Sequence, residues 1–185
     1  IQVTCNNYGL FQYYNFENYP HYKSLGGSGM IYVHDDVLST FYWNLNEFDT
    51  LRNEHTFSGT FDPISSYSPS YFTINGLSNP LTISDPTQNV TGVVNEEIII
   101  CVLNSGLSHH SIHFHGYHLD VLFSTQTMFE GMSKDTFPFR NGDAMILKLI
   151  PDKPGMYPIH DHNLVAVTGN NVYGNGMFQI ISITP

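Results

Sequence analysis

His110-Ser111-Ile112-His113-Phe114-His115-Gly116 is the stretch on which the reading of this chain turns, and His160-Asp161-His162 answers it further on. Both contain His-x-His. In an extended strand, residues i and i+2 project from one face. Two such strands side by side bring His113, His115, His160 and His162 to one spot. Imidazole nitrogen is a preferred ligand of both copper and zinc. The two segments together therefore predict paired strands carrying a metal site, with the choice between copper and zinc left open by the ligand type.

Strand signals extend outward from this pair. Val94–Leu103 reads VNEEIIICVL, Ala144–Ile150 reads AMILKLI, Phe178–Ile183 reads FQIISI and Val37–Leu45 reads VLSTFYWNL. Turn signals separate them at Asn75-Gly76, Asn104-Ser105-Gly106, Asn141-Gly142-Asp143 and Asp152-Lys153-Pro154-Gly155. No segment shows a sustained 3.6-residue apolar period, and Leu164–Val167 reads as a short helical turn or a loop. Many short strands between turns predict an all-β, Greek-key sandwich or barrel.

Composition agrees with this class. Charged residues make up 12% and aromatic residues 14% of 185 residues, a length that allows one domain or one and a part. The formal net charge of −10 argues against nucleic acid or an anionic membrane as partner. No apolar run is long enough to span a bilayer. The chain opens on Ile1 without a leader-like segment and is expected to be a processed or trimmed product. Cys5 and Cys101 permit one disulfide or two free thiols. Asn89-Val90-Thr91 matches a glycosylation sequon. Scarce lysine, the sequon and the metal ligands lean together toward a secreted, extracellular setting.

An internal repeat bears on domain organisation. Gly9-Leu10-Phe11-Gln12-Tyr13-Tyr14-Asn15-Phe16 precedes Gly27-Ser28-Gly29-Met30, and Gly155-Met156-Tyr157-Pro158-Ile159-His160-Asp161-His162 precedes Gly174-Asn175-Gly176-Met177. A repeat at this long period suggests tandem domains. We expect residues 1–60 to be the C-terminal part of one degenerate domain plus a connector. Residues 61–185 are expected to form a full domain with the histidine-rich site.

These motifs resemble the multicopper oxidase family, built from tandem cupredoxin domains. His110-Ser111-Ile112-His113-Phe114-His115-Gly116 fits the family's His-x-x-His-x-His-Gly segment. Tyr71-Phe72-Thr73-Ile74-Asn75-Gly76 is similar to the strand and turn that open the corresponding domain. Asp135-Thr136, Asn141-Gly142 and Pro154-Gly155 also match. The resemblance covers residues 71–185 well and the earlier part weakly. It implies a cupredoxin-like fold and copper as the metal. It further implies that His113 is a type 2 ligand and that His115, His160 and His162 are type 3 ligands of a trinuclear cluster.

The departures are as informative. The family's His-Cys-His, whose cysteine binds type 1 copper, is here His160-Asp161-His162. The later type 1 histidine has no counterpart between Asn163 and Asn175, and the earlier repeat reads Tyr14-Asn15-Phe16. A carboxylate in place of the thiolate makes a poor blue-copper site. The family's other four cluster histidines come as two further His-x-His pairs, and this sequence has none; His21, His34, His55 and His118 stand singly. The missing half would come from other domains, other chains, or a second copy in a homo-oligomer. If so, the assembly would oxidise a substrate by single electrons and reduce oxygen to water.

Three readings stay open for His110 and Asp161: a buried hydrogen bond or ion pair replacing the type 1 metal, a carboxylate orienting the ligand histidines, or a vestigial site with Met177. Met177 and Met30 read first as core. For the whole chain, the leading expectation is a copper-binding cupredoxin-like module with a half-complete site and no type 1 copper. The competing expectations are a structural or adhesive protein with no redox activity, and a mononuclear zinc or copper site.

Overall fold

The β-branched run that ends VNEEIIICVL becomes the strand around which both layers form. A computed structural model of the chain describes residues 4–17, 19, 21–35, 38–60 and 66–185. The strands in chain order begin with β1 (Gly9–Tyr14), β2 (Ser28–Val33), β3 (Ser39–Phe48), β4 (Tyr71–Ile74) and β5 (Thr91–Val93). There follow β6 (Ile98–Asn104), β7 (His110–Phe114), β8 (Leu119–Ser124), β9 (Ser133–Lys134) and β10 (Thr136–Phe139). The last are β11 (Ala144–Leu149), β12 (Gly155–Asp161), β13 (Thr168–Gly169), β14 (Val172–Tyr173) and β15 (Phe178–Thr184). Helices are short: α1 (His21–Ser24), α2 (Thr50–Ser58) and α3 (Leu81–Ser84).

Among the described residues the strands form three sheets. One has the order β10-β7-β12-β15-β5, one the order β14-β13-β4-β3-β6-β11-β8-β9, and β1-β2 is a separate hairpin. The first two face each other across the main core. Ile112, Phe114, Phe137, Ile159 and Ile181 from one meet Trp43, Leu45, Ile100, Val102 and Leu147 from the other. Sheet neighbours are often distant in sequence, as a Greek-key sandwich requires. The all-β, cupredoxin-like expectation thus describes the architecture.

β6 is buried on both faces. Ile98, Ile100 and Val102 enter the main core, while Ile99, Cys101 and Leu103 join Leu10, Ala144 and Ile146 in a second cluster beneath the β1-β2 hairpin. A strand covered on both sides reads as a continuous apolar run, which is what the sequence shows there. The second layer also decides the cysteines. Cys101 is enclosed in that cluster while Cys5 is exposed ahead of β1, and both are free, so the disulfide entertained from sequence is not formed. Burial pushes the Cys101 thiol up to about 12.

One further point differs from the sequence reading. A helix, α2, occurs where no helical apolar period exists. None of its residues is buried, so it has no apolar stripe to reveal it; Asp49 caps it by accepting from the Arg52 N–H, and Gly59 closes it in the left-handed conformation. β3, drawn from the span read as the end of one unit plus a connector, runs parallel to β6 and antiparallel to β4 within the large sheet. The boundary expected near residue 61 falls in 61–65, which with Asp36 and Val37 lies outside the described residues.

The repeat survives in outline rather than in register. Both copies form antiparallel strand pairs, opened by Gly9 and Gly155 at φ 143° and 145°. Gln12 pairs with Met30, whereas its repeat counterpart Pro158 pairs with Ile180 rather than Met177.

Because Ile100 is fully buried in β6, Ile100→Ala should cost about 2–5 kcal/mol. Leu51→Ala, on the exposed face of α2, should change stability by no more than about 0.5 kcal/mol. Urea unfolding of both variants measures this, and equal midpoints would contradict the layer assignment.

Candidate metal centre

The four histidines of the two His-x-His segments fall on one row of the five-stranded sheet and its margins. His113 in β7 lies directly opposite His160 in β12 and, on its other side, opposite Thr136 in β10. The β7-β12 ladder continues past both strand ends: the His115 N–H donates to Pro158 O (3.1 Å) and the His162 N–H to Ser111 O (2.7 Å). The two-residue period then places His115 and His162 on the same face, one to either side of the central pair. The ring of His113 lies 4.6 Å from that of His115 and 5.8 Å from those of His160 and His162, centroid to centroid. His113 and His160 are half-buried; His115 and His162 are exposed.

The turn after His115 depends on glycine. Gly116 has φ 82°, and a Cβ there would collide with the Tyr157 ring. The His-x-His-Gly pattern is thus a strand end followed by a turn only glycine fits.

Hydrogen bonds orient the imidazoles. His160 Nδ1 is 2.9 Å from the Asp161 carbonyl oxygen, which can only accept, so the ring donates from Nδ1 and, in its neutral form, has Nε2 bare. His113 Nδ1 lies 2.9 Å from Thr136 Oγ1. Burial, with the neighbouring His113 and His160, pushes His115 below the usual histidine range, toward the neutral form a metal requires. His115 Nε2 and His160 Nε2 lie within hydrogen-bond distance of each other at 3.0 Å, and both rings would be among the groups that hold a metal. Among the described residues no three His, Cys, Asp or Glu side chains enclose an ion by themselves. The donor set therefore fits an open face better than a closed mononuclear cage.

Behind this face, inside the sandwich, lies a second polar cluster. Asp161 sits between two outward histidines, so its side chain points the other way, into the core. There its Oδ2 is 2.6 Å from His110 Nδ1, and the opposite ring nitrogen, Nε2, is 3.1 Å from Glu47 Oε2. All three side chains are fully enclosed. Asp161 Oδ1 also accepts from the Ser111 and Asn163 N–H groups. Glu47 Oε1 accepts from the Leu107 and Ser108 N–H groups and from the Tyr67 hydroxyl. Gly106 makes room for this carboxylate, since a Cβ there would collide with Oε2.

Burial alone would lower the His110 pKa, but hydrogen bonds to Asp161 and Glu47, and their charges, outweigh it and hold it at about 9. Burial likewise opposes ionisation of Glu47; the His110 contacts, with Tyr67 and Ser108, outweigh it and hold the carboxyl at about 2. His110 is thus an imidazolium between two carboxylates. Met177 packs in the main core without joining the array.

The remaining sequence candidates are dispersed. His109 and His118 are exposed, His34 stacks on Tyr32, and His55 lies on α2. Asn89 is half-buried, with its Oδ1 enclosed and unpartnered. Sequence reading missed Glu47 and Tyr67. A signal for Glu47 existed: Trp43, Leu45 and Glu47 share one strand face, which sets a carboxylate among buried apolar residues.

The array generates a stability prediction. The raised His110 pKa contributes stability fully below pH 6.5 and loses it as pH rises through about 9. The depressed Glu47 pKa contributes above pH 4.5 and loses it as pH falls toward about 2. Both contributions are complete between pH 4.5 and 6.5. Urea midpoints should therefore plateau in that window. His110→Ala, which strands two buried carboxylates, should cost about 3–5 kcal/mol there. A midpoint unchanged by His110→Ala would contradict the ion array.

The multicopper oxidase family model matches residues 51–176, about two thirds of the chain. Among solved structures the chain is similar to the blue copper oxidase from Nitrosomonas europaea, with 19% identity and a TM-score of 0.81 over 97% of this chain and 57% of that one. It is similar to the multicopper oxidase mgLAC, with 18% identity and a TM-score of 0.80 over 97% and 58% of the two chains. It is also similar to the copper nitrite reductase from Nitrosomonas europaea, with 18% identity and a TM-score of 0.68 over 98% and 64%. No curated protein matches the chain significantly. At these identities the structural likeness establishes the fold, and the chain spans less than two thirds of each of these structures. The family's metal is copper, and no comparison points to zinc. With the His-x-x-His-x-His-Gly segment and its facing His-x-His inside the matched region, the chain belongs to the multicopper oxidase family.

Proposed function

We propose that the chain is a copper-binding cupredoxin module that supplies half of a trinuclear-type site and holds no type 1 copper. His113, His115, His160 and His162 would be the copper ligands. The observation that carries this reading is the cross-strand His113-His160 pair with His115 and His162 flanking it on the same exposed face. Bound copper would supply the one-electron chemistry that the family directs to oxygen reduction. The chain's own residues present imidazoles, fix the rings of His160 and His113 through Asp161 O and Thr136, and leave one side open.

Two features support a partial rather than complete site. The four rings enclose no ion alone, and the place of the electron-transfer cysteine holds Asp161 in contact with His110. The imidazolium between Glu47 and Asp161 puts a positive charge where a type 1 ion would sit. Complete oxidase activity then needs histidines from another domain, another chain or a second copy. The outward face of the β1-β2 hairpin, with Phe11, Tyr13 and Ile31 exposed, offers apolar surface for such a neighbour. We also place the protein outside the cytosol, on the scarcity of lysine and the sequon at Asn89.

Equilibrium dialysis against Cu(II) tests the reading. The wild-type chain should take up copper without a strong absorption band in the blue-copper region, and His113→Ala/His160→Ala should weaken uptake by at least about tenfold. No uptake by the wild type would favour an inert scaffold, and an intense blue band would contradict the loss of type 1 copper.

A further inference from the structure

On this face, His113 is tied to a side chain of the edge strand β10. Thr136 is its cross-strand partner in β10, with Oγ1 2.9 Å from His113 Nδ1. The same hydroxyl donates to Asp135 Oδ1 at 3.0 Å. A threonine hydroxyl carries a single hydrogen, and an ionised carboxylate can only accept. With that hydrogen committed to Asp135, Thr136 Oγ1 has only a lone pair left for His113. The ring must then donate from Nδ1, which in the neutral tautomer leaves His113 Nε2 bare. Asp135 stays ionised, its carboxyl held low by the Thr136 hydrogen bond, so the direction of the chain is kept at neutral pH.

We propose that Thr136, oriented by Asp135, is a positioning residue that sets the tautomer and ring angle of His113 and so readies its Nε2 for copper. The inference deepens the copper reading and rests on it for its last step. The tautomer itself does not depend on that reading. His160 reaches the same state by a different route, through the Asp161 main-chain carbonyl, which no substitution removes. The side-chain route at His113 is the one that mutation can switch off. Outer partners of this kind typically alter metal affinity about 10–100-fold.

The test compares the wild type with Thr136→Val, which keeps the shape and removes the hydroxyl, and with Thr136→Ser, which restores it. Nitrogen-15 NMR of the chelator-treated protein reads the His113 tautomer directly, and a Cu(II) titration reads affinity. In the wild type and Thr136→Ser, His113 should be protonated at Nδ1. In Thr136→Val it should lose that preference, and Cu(II) affinity should fall about tenfold or more. Circular dichroism and urea midpoints confirm that each variant is folded; because Thr136 is only half-buried, Thr136→Val is expected to fold. An unchanged His113 tautomer in folded Thr136→Val overturns the proposal whether or not copper binds. A changed tautomer with unchanged affinity overturns the link to copper. Failure of the wild type to bind Cu(II) overturns the copper reading itself and leaves the tautomer result standing.

Discussion

A charged imidazole buried between two carboxylates is the constraint around which the rest of this domain is arranged. Glu47 comes from the large sheet, and His110 and Asp161 come from the small one, so the array bolts the two layers together at one end of the core. Burying three ionisable groups is costly unless every one is paired. Here each carboxylate is satisfied on both oxygens by main-chain N–H groups, a tyrosine hydroxyl or the imidazole. Removing any partner would leave an uncompensated charge in a dry interior.

The same geometry links the core to the outer face. Strand alternation gives β12 an inward Asp161 between two outward histidines, and gives β7 an inward Ile112 and Phe114 around an outward His113. Whatever fixes Asp161 in the core therefore fixes the height and angle of His160 and His162. The proposed copper face is in this sense the outer side of the buried array. One residue, Asp161, serves both sides: its carboxylate meets His110 and its carbonyl accepts from His160 Nδ1.

Much of this was legible in the residues. The two His-x-His segments and the apolar run at Ile98–Leu103 specify strands, and alternation alone predicts which histidines share a face. The departure at Asp161 was visible too, with His110 as its neighbour. The face shared by Trp43, Leu45 and Glu47 marks a buried carboxylate but not its partner, because that depends on β3 inserting beside β6, a parallel pairing of distant segments that no local pattern announces. The helix at Thr50–Ser58 was hidden for the opposite reason: it buries nothing, so its ends rather than its periodicity define it. The pairing of Cys5 with Cys101 was open in sequence and closed by packing, since β6 turns Cys101 into a layer that Cys5 never enters. Thr136 matched the family pattern as a residue, but its hydrogen-bond direction depends on how the fold sets Asp135 and His113 on either side of its hydroxyl.

The proposed copper face is built from imidazoles on a domain whose thiolate position is taken by a carboxylate. X-ray absorption at the copper edge of the copper-loaded protein tests it most directly. The copper-loaded protein should show a first shell of nitrogen and oxygen at about 2.0 Å with the multiple-scattering signature of imidazole. A short copper–sulfur shell, or a first shell without imidazole, would contradict it.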